Sequence, residues 1–575
     1  MDAGEPVVAR TRETIAGEVF LDALQRHGVE YFFANAGTDF PPIIEGLARA
    51  AERGRKVPRP IVVPHENAAV AMAHGVYMVS GRPQAVMVHV NVGTGNTLNT
   101  LINASRDFVP LLLLAGRSPI TETGKHGSRN RYIHWAQEMF DQAGMVREIV
   151  KWDYELRIPD HVGDAVDRAF EVMMTAPRGP VYLTLPREIL GAAAKPLDAA
   201  RARRALPEAP HPSPEAIATL AQWIAAAARP LIITANAGRN AREIELLGRV
   251  AERFALPVVS FNRRFLCLPS SHPMHLGYQP RPLLDEADLV IVLDCDVPWF
   301  PSLEGPPPGC RIVHIGEDPA FIRYPIRSFP ADLSITASTA PALAALEAAL
   351  ARAVPAEDVR VQARRERLTR RSAELRAKWA AEGKAKGEGE AIGPEWLSHV
   401  IGEAVGPEAI VVNEYPLRPE YCPRERPGTY FGLSPAGGLG WGFGAALGAK
   451  LAAPDRLVVA TLGDGAYVFA NPTACHWVAA AHDLPILTIV FNNALYGGVR
   501  NATLSMYGSG VAARDGGKLL ADLEPSPAFE KVVEASGGVG IRVEKPAELR
   551  SALVRALEVV TKEKRQALVN VICRY

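Results

Sequence analysis

Short apolar segments alternate with helix-like segments along the whole chain, and this alternation restricts the fold more than any other feature. Each apolar segment is bounded by Gly, Pro, Asn or Asp, as are strands that are buried on both faces of a sheet. In a chain of 575 residues, this pattern is typical of parallel sheets covered by helices on both sides. The sequence therefore predicts an α/β protein built from doubly wound parallel sheets.

The apolar segments fall into three groups, which we interpret as three domains. The first group comprises Tyr31–Ala34, Ile61–Val63, Ala85–Val90, Leu111–Ala115 and Val181–Leu185, after a helix at Thr14–His27. The second comprises Pro230–Thr234, Pro257–Ser260, Leu289–Asp294 and Arg311–Ile315. The third comprises Ala409–Asn413, Arg456–Leu462, Pro485–Asn492 and Ala567–Val571. We predict domains at 1–190, 205–350 and 392–575, because one hydrophobic core stops growing at about 250–300 residues.

Two connecting segments differ in composition from the domains. The Ala-rich and Pro-containing sequence from Pro186 to about Pro214 is interpreted as a linker. Residues 356–391 are dense in Arg, Lys, Glu and Ala, which predicts a charged, solvated helical connector. Acidic residues are interleaved with its basic ones, which argues against a nucleic-acid site.

The charge and cysteine content exclude several classes of protein. The 63 basic residues balance the 63 acidic ones, so no net charge attracts nucleic acid or anionic lipid. The six cysteines lack CxxC spacing, which argues against a zinc cluster or a disulfide framework. The polar start, Met1–Glu13, does not resemble a signal peptide, and apolar runs such as Pro110–Ala115 are too short to cross a bilayer. We expect a cytoplasmic protein with no membrane partner.

The third group of strands carries the most specific motif of the chain. One strand runs into Gly463-Asp464-Gly465, and the next runs into Asn492-Asn493. Ligands bind at the carboxyl ends of strands in open α/β sheets. Mg²⁺ prefers hard oxygen ligands, often one carboxylate together with phosphate oxygens. Asp464, the Asn493 amide and the backbone carbonyl of Leu495 therefore form a candidate metal site.

These motifs resemble those of the thiamine-diphosphate-dependent enzymes, which include acetolactate synthases, pyruvate decarboxylase and benzoylformate decarboxylase. The resemblance implies that Asp464, Asn493 and Leu495 bind Mg²⁺. It further implies that Gly463, Gly465, Ala466, Asn493 and Tyr496 lie beside the cofactor diphosphate. Ala466 departs from the family pattern, in which many members have a small hydroxyl residue.

The same resemblance extends to the other parts of the cofactor site. The sequence His65-Glu66-Asn67-Ala68-Ala69 resembles the family segment whose glutamate activates the cofactor, which implies that role for Glu66. In the glycine-rich segment 436–444, the resemblance implies that Leu439 supports the bent cofactor and that the Gly437 carbonyl accepts from its aminopyrimidine. Glu66 and Asp464 meet across a subunit boundary in the family. The implied assembly is at least a dimer, with a homotetramer expected.

On the substrate side, the sequence resembles the benzoylformate decarboxylase branch. His89 precedes a Gly-Thr-Gly-Asn turn, His272 lies in a matching second histidine segment, and Thr38 follows Asn-Ala-Gly. Imidazoles titrate near neutral pH and can relay protons during decarboxylation, which favours His89 and His272 as relays. Thr38 would hold the substrate carboxylate. His275 is an alternative to His272, whereas His65, His74, His126, His134 and His476 are assigned no role.

Two segments leave the substrate open. Asn501-Ala502-Thr503 stands where this branch places bulky aromatic residues, which favours a wider or more polar pocket. The stretch Thr121–Glu138 is rich in Arg and His and is interpreted as a solvated loop, with an anion-facing role as the alternative.

The leading hypothesis is a lyase that decarboxylates a 2-oxo acid non-oxidatively and is also able to join the product to an aldehyde. The alternatives are an acetolactate-synthase-like carboligase and a 2-hydroxyacyl-CoA lyase. The last needs a nucleotide site in the middle domain, for which Gly316-Glu317-Asp318 after a strand is a weak indication. FAD in that domain is a further alternative that no motif indicates. A non-catalytic subunit is disfavoured because Glu66 and Asp464 are both present.

Overall fold

Three parallel sheets form the framework of the chain. The structure, a computed structural model, describes residues 13–198 and 205–574. The polar start at residues 1–12, residues 199–204 of the predicted linker and Tyr575 lie outside the described residues. Every strand pair in the three sheets is parallel. The predicted doubly wound α/β architecture is therefore confirmed.

The first sheet has six strands. Its strands are β1 (Tyr31–Ala34), β2 (Arg59–Val62), β3 (Ala85–Val88), β4 (Leu112–Arg117), β5 (Asp153–Glu155) and β6 (Val181–Pro186). They lie in the order β2-β1-β3-β4-β6-β5. The helices of this part are α1 (Ala16–Arg26), α2 (Pro41–Glu52), α3 (Glu66–Ser80), α4 (Val90–Arg106), α5 (Ile133–Ala136), α6 (Val162–Met174) and α7 (Arg187–Leu190).

The middle sheet has five strands. Its strands are β7 (Pro230–Thr234), β8 (Val258–Ser260), β9 (Leu289–Leu293), β10 (Arg311–Gly316) and β11 (Leu333–Thr336), in the order β11-β10-β9-β7-β8. The helices here are α8 (Pro214–Ala226), α9 (Ala241–Arg253), α10 (Leu283–Glu286), α11 (Thr339–Ala353) and the long α12 (Val359–Ala385).

The third sheet again has six strands. Its strands are β12 (Ile410–Glu414), β13 (Tyr430–Gly432), β14 (Val458–Gly463), β15 (Leu487–Asn492), β16 (Val539–Val543) and β17 (Ala567–Ile572), in the order β13-β12-β14-β15-β17-β16. Its helices are α13 (Pro394–Ala404), α14 (Trp441–Ala452), α15 (Asp464–Phe469), α16 (Pro472–Ala481), α17 (Gly497–Met506), α18 (Phe529–Glu534) and α19 (Leu549–Thr561).

The chain divides into two compact units that do not follow the sheets. The first unit contains the chain up to Pro207 together with Ser434–Ala452 and Ala470–His482. The second contains the middle sheet and the rest of the C-terminal part. Helices α14 and α16 therefore belong to the same unit as the first sheet. No described helix combines the length and the apolar character that a membrane crossing requires.

Within the first unit, helices α3 and α14 pack against each other through glycines. A Cβ atom on Gly75 would lie 2.0 Å from the Ala445 carbonyl oxygen, and one on Gly448 would lie 2.0 Å from the Met72 carbonyl oxygen. The two backbones are therefore in direct contact, which only residues without a side chain permit.

The predicted solvated connector has one buried face. Helix α12 covers most of it, and Arg364 on this helix is only 7% exposed. The Arg364 guanidinium donates to the carbonyls of Ala227, Phe254 and Ala255 at 2.9–3.0 Å. Ala227 and Phe254 end helices α8 and α9, so this arginine satisfies carbonyls that lack helical partners.

Candidate active site

Glu66 is the first residue of α3 and lies at the carboxyl edge of the first sheet, just beyond β2. Its side chain is 7% exposed. The Asn35 amide donates to Oε1 at 2.9 Å, and the Asn96 amide donates to Oε2 at 3.1 Å. Two neutral donors thus fix both carboxylate oxygens, and no cation of the described residues is paired with them. A carboxylate held in this way keeps its orientation while remaining available to a proton partner.

His89 follows strand β3 and is paired with a buried carboxylate. Its Nδ1 lies 2.6 Å from Oδ1 of Asp39, which is 2% exposed. The hydrogen bond to Asp39 raises the pKa of His89, and the nearby charge of Glu66 adds to this rise. His89 is therefore a histidine whose charge state is controlled by two carboxylates, as a proton relay requires.

The backbone around His89 is shaped by the same aspartate. The predicted strand Ala85–Val90 ends two residues early, at Val88, and Val90, the first residue of α4, adopts a φ of +37°. This conformation is unfavourable for a β-branched residue. The Val90 N–H donates to Asp39 Oδ2 at 3.3 Å, so Asp39 binds the imidazole and the strained backbone together.

Thr38 lies beside this pair, in the turn that follows β1. Its hydroxyl oxygen is 3.4 Å from Nε2 of His134. The preceding Gly37 is in contact with the His89 ring, since a Cβ there would lie 2.1 Å from Nδ1. The turn therefore needs glycine at this position in order to admit the imidazole.

The glycine-rich segment before α14 belongs to the same compact unit as Glu66. Gly437 has a φ of +67°, which places it in the left-handed region that favours glycine. The Asn103 amide group donates to the Gly438 carbonyl and accepts from the Gly438 N–H. Asn99 donates to the carbonyl of Leu439 at 2.8 Å. Two asparagines on α4 thus fix the backbone on both sides of the half-buried Leu439.

Asp464 and Asn493 lie at the carboxyl edge of the third sheet, in the second compact unit. They directly follow the paired strands β14 and β15, in which Gly463 is in register with Phe491. The Asp464 side chain is buried, and burial raises its pKa. Asp464 Oδ1 accepts from the Gly465 N–H at 2.7 Å, and Asn493 Oδ1 accepts from the Leu495 N–H at 3.1 Å.

The donor set at this edge fits a hard divalent cation. Asp464 Oδ2 is buried and has no hydrogen-bond partner among residues 13–198 and 205–574. Backbone N–H groups of Gly465 and residues 493–495 partly stabilise the carboxylate, and a cation at Oδ2 would offset the remaining cost of its burial. The described residues contain no cluster of three His, Cys, Asp or Glu side chains that could hold a metal. A metal here would need amide and carbonyl oxygens, such as those of Asn493 and Leu495.

The other residues predicted to lie beside the diphosphate surround Asp464. Gly463 ends β14 in open space, and Ala466 is buried in the short helix α15. The Tyr496 ring packs on Gly465, where a Cβ atom would lie 2.5 Å from Cε1. Gly465 therefore leaves room for the aromatic ring beside the loop.

His272 belongs to the second compact unit, and its carbonyl accepts from the Ser372 hydroxyl on α12 at 3.3 Å. Its Nδ1 accepts from the Met274 N–H at 3.1 Å, and its Nε2 lies 3.8 Å from Glu252. Burial lowers the pKa of His272. Its role as a proton relay stays a prediction. The alternative, His275, is buried against Ser260, and burial lowers its pKa to about 3, which makes it a poor proton acceptor at neutral pH.

Sequence reasoning missed several residues that support the predicted ones. They are Asn35, Asp39, Asn96, Asn99, Asn103, His134 and Gln137. Asn35 lies in the turn that ends at Thr38, Asn96 lies in the Gly-Thr-Gly-Asn turn, and Asp39 directly follows Thr38. Their positions in or beside these motifs could therefore have marked them as site residues. The sequence offered no such sign for His134, because its partner Thr38 is 96 residues away in the chain.

Comparison with known proteins assigns these features to one family. Three family models match in chain order. The thiamine pyrophosphate enzyme N-terminal TPP binding domain matches residues 15–145, the central domain matches 217–346, and the C-terminal TPP binding domain matches 418–571.

Individual relatives agree with this assignment. Benzoylformate decarboxylase of Pseudomonas aeruginosa is 29% identical over 83% of this chain and 86% of its own length. The acetolactate synthase isozyme 3 large subunit of Escherichia coli is 24% identical over 87% of this chain and 85% of its own length. The solved thiamine diphosphate-dependent 4-hydroxybenzoylformate decarboxylase of Rhodococcus jostii shares the fold, with a TM-score of 0.78 and 23% identity over 98% of this chain and 99% of its own. The chain therefore belongs to the thiamine-diphosphate-dependent enzymes, as a 2-oxo acid decarboxylase or carboligase.

Proposed function

We propose that the enzyme decarboxylates a 2-oxo acid non-oxidatively, in the manner of the benzoylformate decarboxylases, and can join the acyl product to an aldehyde. The observation that carries this proposal is the arrangement of Glu66, His89 and Thr38 in one compact unit. Glu66 is close enough for its charge to raise the pKa of His89, and Thr38 adjoins Asp39, the partner of His89. An acid, a tuned imidazole and a hydroxyl are the groups this reaction requires.

Each of these residues has a distinct role in the proposal. Thiamine diphosphate, when bound, supplies the reactive carbon and the electron sink. Glu66 holds a proton against the cofactor's pyrimidine nitrogen. His89 delivers or removes a proton at the substrate oxygen and carbon. Thr38 binds the substrate carboxylate, which leaves more readily once it has lost its water contacts.

We further propose that Mg²⁺ is bound by Asp464, Asn493 and the Leu495 carbonyl. The orphaned Oδ2 of Asp464 supports this assignment. Gly463, Gly465, Ala466 and Tyr496 would lie beside the diphosphate. In the first unit, the Gly437 carbonyl and the Leu439 side chain would contact the pyrimidine and the bend of the cofactor, on a backbone fixed by Asn99 and Asn103.

The proposed assembly is a homo-oligomer. Glu66 and Asp464 belong to different compact units, and in the family the corresponding residues meet across a subunit boundary. A homodimer would then be the smallest active form, and a tetramer the expected one.

The donor acid is proposed only as a 2-oxo acid. The benzoylformate decarboxylase relative favours an aryl substrate. However, Asn501, Ala502 and Thr503 replace the expected aromatic cover and lie on the largely exposed α17. The acetolactate-synthase-like alternative condenses two 2-oxo acids, so a product analysis with pyruvate alone separates it from the decarboxylase.

The nucleotide-binding alternatives have less support. A diphosphate would need free N–H groups at the turn after β7. The N–H groups of Gly238 and Arg239 instead donate to Oε2 of Glu243 at 3.1 and 2.9 Å. Glu317 accepts from the Ser338 hydroxyl. An internal carboxylate thus occupies the N–H groups of this turn, which gives no support to a diphosphate site there. A visible spectrum of the purified protein tests for FAD.

The decisive experiment measures CO₂ release and carboligation products together over a panel of 2-oxo acids and aldehydes. We expect CO₂ release from at least one acid, without a requirement for a second 2-oxo acid. Formation of 2-hydroxy-2-acyl acids alone would favour the carboligase.

Glu66→Gln tests the catalytic assignment. Removal of the acid should lower kcat at least about a hundredfold, while calorimetry shows cofactor binding that is nearly unchanged. Glu52→Gln, at the exposed end of α2, is the matched control and should retain activity. Full activity of Glu66→Gln would contradict the proposed function.

A further inference from the structure

Residues 118–142 form the first part of the connection between β4 and β5, include the short helix α5, and are anchored to the first unit by ion pairs and buried hydrogen bonds. We call this segment the site loop. Glu138 accepts from Arg117 at 2.6 Å and from Arg129 at 2.5 Å. The buried Arg187 donates to the carbonyls of Gly127 and Ser128 at 2.6 and 2.8 Å. The site loop therefore has a defined position. The interpretation of Thr121–Glu138 as a solvated loop did not predict these anchoring contacts.

One histidine of the site loop is buried and has a defined tautomer. His134 is 2% exposed. Its Nδ1 accepts from the Asn130 N–H at 3.2 Å, so in the neutral ring the proton is on Nε2. Nε2 lies 3.4 Å from Thr38 Oγ1. The imidazole therefore donates to the threonine oxygen, and the hydroxyl proton of Thr38 is left to donate elsewhere.

The same turn of the site loop reaches the second substrate residue. Gln137 is three positions after His134 and therefore lies on the same face of the turn. Its amide nitrogen is 3.4 Å from Nε2 of His89. One short segment thus contacts both Thr38 and His89, the two groups assigned to the substrate.

Cationic side chains surround this point. Arg187 also donates to the backbone carbonyl of Thr38 at 3.0 Å. Burial, followed by the charges of Arg187, Arg129 and Arg131, lowers the pKa of His134. This shift favours the neutral ring. Arg187 beside Thr38 favours an anion there, against the charges of Asp39 and Glu188.

We propose that His134 is a positioning residue that turns the Thr38 hydroxyl toward the carboxylate of the 2-oxo acid. This inference rests on the proposed function, because it assumes that the substrate is such an acid. It assigns the second imidazole of the substrate site to the site loop rather than to His272. His134 acts through Thr38, so its effect should disappear when the hydroxyl is absent.

The test compares three variants in the Glu66→Gln background, in which turnover is expected to be at least about a hundredfold slower. His134→Phe keeps a ring but removes the donor, Thr38→Val removes the hydroxyl, and the double variant combines them. His126→Phe, at an exposed position of the same loop, is the matched control. Calorimetry on the enzyme loaded with thiamine diphosphate and Mg²⁺ gives the Kd of pyruvate and of benzoylformate, which share the carboxylate but differ in size.

We expect both single variants to raise the Kd of both acids about tenfold, as for a lost hydrogen bond to a charged group. The double variant should be no worse than Thr38→Val alone. The affinity for thiamine diphosphate and the melting temperature should not change, which separates positioning from a general structural role. Pyruvamide, which lacks the carboxylate charge, should bind all variants equally.

Three results would overturn the inference. The first is an equal Kd in His134→Phe and His126→Phe. The second is a double variant in which the effects of His134→Phe and Thr38→Val add. The third is that neither acid binds measurably to the enzyme. A failure of the proposed function is detected by a separate measurement. In that case the wild-type enzyme would release no CO₂ from any acid of the panel.

Discussion

At the scale of single residues, Asp39 links the backbone of the site to its histidine. It is buried, binds the His89 imidazole and also binds the backbone N–H of Val90. The strained Val90 conformation costs about 1–3 kcal/mol. The hydrogen bond from its N–H to Asp39 offsets part of that cost. The carboxylate thus sets both the position and the basicity of His89.

Asp39→Asn should shift the titration of His89 to lower pH. The carboxylate favours the protonated imidazole and raises its pKa, so loss of the charge lowers that pKa. We expect the limb of the kcat/KM pH profile that belongs to His89 to move toward acid. The value of kcat/KM should fall roughly ten- to a hundredfold, for the loss of about 1.5–3 kcal/mol. Asp141→Asn, in an exposed ion pair with Arg147, is the control, and an identical profile in both variants would refute the assignment.

Local sequence predicts some site residues and not others, for a physical reason. Glu66, His89 and Asp464 sit at strand ends in short motifs, so neighbouring residues reveal them. Asp39 and His134 act through partners that are distant in the chain, and only the folded sheet brings them together. The direction of the His89 pKa shift likewise depends on Asp39, a residue that lies outside the sequence motif around His89.

At the scale of elements, the strands that the sequence missed share one property. They are β5, β11, β13 and β16, and each lies at the edge of its sheet. Residues of β5, β11 and β16 are largely half-buried or exposed. Edge strands need not be apolar on both faces, so they lack the continuous apolar run that identified the central strands.

Helix α12 gives an element-scale prediction. Arg364→Met should destabilise the middle domain by about 2–4 kcal/mol, because three carbonyls at or beside the ends of α8 and α9 lose their donor. Hydrogen–deuterium exchange of peptides around Ala227 and Phe254 should become faster. Arg370→Met, on the exposed side of the same helix, should change stability by less than about 0.5 kcal/mol. Equal exchange in the two variants would show that the Arg364 contacts contribute nothing.

At the scale of the whole molecule, the alternation of strands and helices was sufficient to predict three parallel α/β domains. It was not sufficient to predict the two compact units. Ser434–Ala452 and Ala470–His482 group with the first sheet, although they are neighbours of the third sheet in the chain. This grouping depends on backbone contact through glycines, which hydrophobic periodicity does not report.

The proposed sharing of sites between subunits can be tested by mixing inactive proteins. Glu66→Gln and Asp464→Ala should each be inactive alone. After subunit exchange, a mixed dimer has one site with both residues intact, so random mixing should restore about a quarter of the wild-type activity. Activity that stays absent after exchange, with mixed dimers verified by mass spectrometry, would place Glu66 and Asp464 of one chain in the same site.

The contact between α3 and α14 also has a consequence for recombination with relatives. Gly75 and Gly448 each face the backbone of the other helix without space for a methyl group. Helix α3 begins with Glu66, and α14 begins directly after the segment that holds Gly437 and Leu439. A chimera that takes one of these helices from a relative must take the other as well. We therefore expect the two helices to be exchangeable only together, although more than 350 residues separate them in the chain.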